Sequence, residues 1–85
     1  NDPYITDSLG WALFKLGRYT ESEKYLQLAI KLMPGDPVIN DHYGDVLWKN
    51  GNKLQARYYW KNTLYLEDVE DDMKDKIENK LVLGL

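Results

Sequence analysis

Residues 2–17 read DPYITDSLGWALFKLG, and residues 36–51 read DPVINDHYGDVLWKNG. The second stretch is the first moved by 34 positions. Asp2-Pro3 falls on Asp36-Pro37, Ile5 on Ile39, Asp7 on Asp41, Gly10 on Gly44, Leu13 on Leu47, Lys15 on Lys49 and Gly17 on Gly51. Further along, Tyr25 falls on Tyr59 and Leu32 on Leu66. Chance would not select the glycines, the Asp-Pro pairs and the periodic apolar positions together. A fixed period in the range of about 20–50 residues marks one supersecondary unit used repeatedly, each copy covering its neighbour's apolar face.

Working outward, each copy carries the punctuation of two helices. Asp2 and Asp36 can cap free backbone N–H groups, and Pro3 and Pro37 take the first helical position, where a missing N–H is harmless. Ile5, Leu9, Ala12, Leu13 and Leu16 recur at steps of three and four, as do Ile39, Tyr43, Val46 and Leu47. Gly17 and Gly51 supply the positive φ of a helix terminus. Second helices follow, from about Tyr19 or Thr20 to Pro34-Gly35 and from about Asn52 or Lys53 to about Leu66. Their stripes are Ser22, Tyr25, Leu26, Ala29, Ile30 and Leu32, then Ala56, Tyr59, Trp60, Thr63 and Leu64, with Tyr58 outside the core. Links of two residues force antiparallel hairpins. Gly10 and Gly44 lie inside helices, where glycine costs about 1 kcal/mol against alanine. Recurrence at the repeat period makes them close-contact positions.

After Leu66 the repeat breaks. The run Glu67-Asp68-Val69-Glu70-Asp71-Asp72 lacks the glycine and ligand spacing of a calcium loop. Acidic residues instead suit the first turn of a fifth helix. Val69, Met73, Ile77 and Leu81 step by four, and Glu70–Lys74 and Asp72–Lys76 are spaced for surface pairs. The expected domain is a single unit over 1–85: a repeat at about 2–35, a second at about 36–67, and a capping helix at about 68–83.

Composition bounds the function. A net charge of −3 argues against nucleic acid, which needs a basic face. The absence of cysteine removes disulfides and thiolate metal sites, and leaves the compartment unread. No apolar run reaches the roughly 18 residues of a membrane span. A start at Asn1 rather than Met reads as a piece excised from a longer array. No nucleophile–base pair, phosphate loop or metal-ligand spacing is present, so neither catalysis nor a cofactor is expected. His42, the single histidine, reads as a surface residue.

Leu9-Gly10, Gly17, Tyr19, Ala29 and Pro34 in the first copy, with Gly44, Leu47, Gly51, Ala56 and Trp60 in the second, resemble the tetratricopeptide repeat. The departures are Ser22 and Thr63 in place of alanine, read as looser packing, and Asp68 in place of the closing proline, read as the array's end. The resemblance implies an all-α, right-handed superhelix (solenoid) of two helix-turn-helix hairpins and a capping helix. It also implies a concave groove lined by Tyr4, Asp7, Trp11, Phe14 and Lys15 of the first copy. Val38, Asp41, Asp45, Trp48 and Lys49 of the second continue it, with Asp72, Asp75 and Asn79 at the same phase of the cap. The clamp of lysines and asparagines that some members use on acidic chaperone tails is missing, because Asp7, Trp11 and Asp41 stand at its positions.

Trp11, Phe14 and Trp48 read either as anchors for a bound peptide or as packing between hairpins. Asp7, Asp41 and Asp45 read either as a negative lining that favours a basic client or as solvated helix faces. Two functions follow. One is a non-catalytic scaffold that binds a protein or peptide segment, basic with an apolar anchor, in the groove. The other is a structural cap or self-association segment of a longer array, with the client held upstream.

Overall fold

The computed structural model describes residues 2–85. Among them are five helices and no strand: α1 Pro3–Lys15, α2 Tyr19–Leu32, α3 Pro37–Lys49, α4 Lys53–Thr63 and α5 Asp71–Leu83. Asp2 opens α1 by accepting from the backbone N–H groups of Tyr4 (2.8 Å) and Ile5 (3.4 Å). Asp36 repeats the device on Ile39 N–H at 3.0 Å. Gly17 and Gly51 end α1 and α3 at φ +78° and +90°. Each link has three residues outside the helices rather than the expected two, Leu16–Arg18 and Asn50–Asn52, because Leu16 and Asn50 leave the helix just before the terminal glycines.

α1 packs on α2 and α3 on α4, giving two hairpins; α3 also lies on α2, and α5 on α4. Both helical glycines sit where the hairpin arms touch. A Cβ at Gly10 would lie 2.8 Å from Leu26, and one at Gly44 would lie 2.5 Å from the indole of Trp60. The core consists of Leu26, Ala29, Ile30, Ile39, Tyr43, Val46, Leu47, Ala56, Trp60 and Ile77. Of the cap's stripe, Ile77 is fully buried, and Met73 and Leu81 pack against the core.

Several sequence expectations need correction. α4 stops at Thr63 rather than near Leu66, because Leu64, Tyr65 and Leu66 donate three residues back and tighten the chain out of the α-helix. α5 begins at Asp71, later than residue 68. The pairs Glu70–Lys74 and Asp72–Lys76 do not close among the described residues. Ser22 does not loosen the packing: its hydroxyl is buried and donates to the Gly10 carbonyl at 2.7 Å. Thr63 likewise donates to the Tyr59 carbonyl at 2.8 Å.

Apolar residues of the first hairpin are also less covered than their periodicity suggests. Ile5 is 69% exposed where its counterpart Ile39 is 1% exposed. Leu9, Tyr25 and Leu32 are exposed too. The cause at Ile5 and Leu9 is position: α3 lies on α2, whereas among the described residues nothing lies on the matching side of α1.

Candidate functional site

α1 and α3 carry all ten residues that the repeat phase assigns to the groove. The structure divides them into two groups. Around α1, Trp11 stacks on Phe14 with ring centroids 4.5 Å apart, and on His42 of α3 at 3.9 Å. Phe14 in turn meets Tyr19 at 5.2 Å. Lys15 leans over Trp11 at 6.0 Å and Lys49 over Tyr19 at 5.9 Å. The result is an aromatic ladder spanning the two hairpins, partly open to solvent at Trp11 and Phe14.

Asp7 is buried under this ladder. Its carboxylate bonds His42 Nδ1 at 3.0 and 3.1 Å. The expectation that His42 lies on the surface is therefore wrong: its side chain is 17% exposed, held by Asp7 on its edge and Trp11 on its face. That contact fixes the ring's Nδ1 toward Asp7 and leaves Nε2 without a protein partner among the described residues.

Around α3, the second group is closed off by the cap. Lys80 of α5 donates to Asp41 at 2.7 Å and Asp45 at 2.8 Å, and Trp60 Nε1 donates to the same Asp45 oxygen at 2.9 Å. Burial pushes the Asp45 carboxyl up, and neighbouring Asp41 adds to that; Lys80 and Trp60 offset it only in part. For Lys80, burial alone would lower the pKa, but Asp41 and Asp45 outweigh it and hold the ammonium above its ordinary 10.5. Trp48 stacks on Trp60 at 5.4 Å under Lys53 and Arg57, each 5.0 Å from its ring. Gly84 presses on its edge, where a Cβ would come within 2.2 Å of the ring.

The aspartates therefore do not form an open negative lining. Asp7 and Asp45 are buried and Asp41 is mostly covered, each with a partner inside the chain. Tyr4 and Val38 remain exposed at the starts of α1 and α3, as do Lys15 and Lys49 near their ends. Asp72, Asp75 and Asn79 of the cap are exposed as well.

Sequence reasoning missed Lys80 and His42, although a signal was present. His42 follows Asp7 by 35 residues, and Lys80 follows Asp45 by 35. Both partners stand one residue beyond the repeat period, so α5 meets α3 at the offset by which α3 meets α1.

Residues 5–36, which span α1 and α2, match the family model for the tetratricopeptide repeat. This stretch, the first hairpin, is similar to a tetratricopeptide repeat. Neither a curated protein nor a solved structure matches it. Tetratricopeptide repeats generally mediate protein–protein interactions and serve as non-catalytic scaffolds. Among the described residues of this repeat protein, no helix is long and apolar enough to cross a membrane.

Proposed function

We propose that this chain holds a segment of a partner protein along α1 and α3, with an apolar side chain of the partner seated against Trp11 and Phe14. The observation that carries the reading is the stacked His42–Trp11–Phe14 ladder, which joins the two hairpins and leaves two aromatic side chains of α1 partly exposed beside α3. Rigid aromatic faces supply much contact area at small entropic cost and dominate many interfaces. With Asp7, Asp41 and Asp45 satisfied internally, the open charges on this surface are Lys15 and Lys49. The partner segment is then one with a carboxylate beside its apolar anchor, rather than a basic one.

The test is selection of peptides from a displayed library on the 85-residue chain, followed by titration of the best binder. Trp11→Ala should weaken it at least tenfold at any salt, and Lys15→Glu should weaken it most at low salt. Selected peptides that bind both variants like the unmodified chain would sink the reading.

One observation favours the structural alternative. Lys80 and Gly84 close the second hairpin's half of this surface, against Asp41, Asp45 and Trp48. On that reading α5 terminates the stack, and the client lies elsewhere. Binding lost with Trp11→Ala would decide against it.

A further inference from the structure

The repeat supplies its own control for the solvent face of α4. In the first copy the outward positions of α2 are Thr20, Lys24, Gln27 and Lys31. In the second copy the matching positions are Leu54, Tyr58, Lys61 and Tyr65. Leu54 is 85% exposed, Tyr58 64% and Tyr65 77%. The fold does not ask for these apolar side chains, because the first hairpin forms with polar residues there. Burying such side chains elsewhere would be favourable, so leaving them in water calls for an external partner.

The patch has a definite shape. Tyr58, Lys61, Asn62 and Tyr65 line a recess of about 190 Å³. Tyr58 is held upright by Tyr59, whose ring meets it edge-on at 5.2 Å. Among the described residues, the hydroxyls of Tyr58 and Tyr65 and the ammonium of Lys61 have no protein partner. The recess therefore interleaves aromatic walls with free hydrogen-bond donors.

We propose that this recess binds a proline-rich segment in the polyproline II conformation, with a basic residue at one end. Three arguments select that partner. A polyproline II backbone has no internal hydrogen bonds, so its carbonyls are free to accept from Lys61 and the two hydroxyls; a helix leaves free only those of its last turn. Tyr58 on α4 and Tyr65, just beyond its end, stand on one recess with Lys61 and Asn62. Aromatic-lined recesses of this kind suit the flat rings of prolines in a polyproline II segment. The basic end follows from charge: the exposed acids Glu67, Asp68, Glu70 and Asp71 continue the chain from Tyr65, and none is ion-paired among the described residues.

The experiment is a titration of the isotope-labelled 85-residue chain with a synthetic polyproline peptide ending in two arginines, read by nuclear magnetic resonance. Shifts should centre on Tyr58, Lys61, Asn62 and Tyr65. The double variant Tyr58→Lys, Tyr65→Lys installs the first copy's residues and should fold, which circular dichroism checks. It should weaken binding at least tenfold. Unchanged binding by that variant, or no shifts at millimolar peptide, would overturn the proposal. Shifts centred on Trp11, Phe14 and His42 would also overturn it, while supporting the separate reading of the α1–α3 surface. Tighter binding at the recess by an amphipathic helical peptide would reject the polyproline partner.

Discussion

Lys80 of α5 and Asp41 of α3 lie 2.7 Å apart, so the cap is tied to the first helix of the second hairpin as well as to α4. The ammonium also serves Asp45 at 2.8 Å. Two carboxylates drawn together around one cation become a liability once the cation is removed. Lys80→Met should therefore destabilise by about 2–3 kcal/mol, toward the low end of what breaking a buried pair costs, since some solvent reaches the site. Urea melts at neutral pH measure this. A midpoint unchanged from the unmodified chain would show that the clasp contributes nothing.

The same clasp gives a pH dependence whose sign can be worked out. Lys80 has its folded pKa raised above 10.5, so its stabilising contribution is complete below 10.5 and is lost as pH rises through the folded value. Melts between neutral pH and pH 12 should show the unmodified chain losing its advantage over Lys80→Met only on the alkaline side of that value. The difference between the two proteins cancels the titration of tyrosines common to both. An advantage lost instead below pH 9 would contradict the assignment.

Gly44→Ala should destabilise despite alanine's better helix propensity. The gain is about 1 kcal/mol. The new Cβ meets the Trp60 ring at 2.5 Å, and Trp60 is fully buried and tied to Asp45, so it cannot swing away. Overpacking of this kind costs about 1–3 kcal/mol, which leaves a net loss at its upper end. Gly10→Ala meets the Leu26 side chain at 2.8 Å and its backbone N at 3.2 Å, a longer closest approach than at Gly44, and should be the milder change. Thermal melts of the two variants would settle the order.

Ser22→Ala should lower stability by about 1 kcal/mol, through loss of one buried hydrogen bond to the Gly10 carbonyl. The carbonyl keeps its place within α1, so no orphaned acceptor adds to the cost. His42→Phe preserves an aromatic face for Trp11 but leaves the buried Asp7 carboxylate without its partner. It should be the more damaging of the two, by about 2–3 kcal/mol in total. Equal melting of both variants would mean that the Asp7–His42 contact is not formed in solution.

What the sequence made legible was everything that repeats locally. The Asp2 and Asp36 caps, the Gly17 and Gly51 stops, and the tight glycines facing Leu26 and Trp60 are each set by neighbours within one hairpin. The pairing of side chains between units was not legible. Asp7 reads as a groove acid until α3 delivers His42, and Asp45 does so until α5 delivers Lys80. Those bonds depend on how one unit is seated on the next, which periodicity states only to the nearest residue. An offset of one residue turned an open acidic surface into two satisfied contacts.

Ile5 and Ile39 occupy the same repeat position, yet one stands in water and the other lies beneath α2. This inequality gives the 85-residue chain a mechanical polarity. Pulled by its two ends, it should yield first at α1, whose Ile5 side is uncovered, and the second hairpin, packed between α2 and α5, should give way afterwards at higher force.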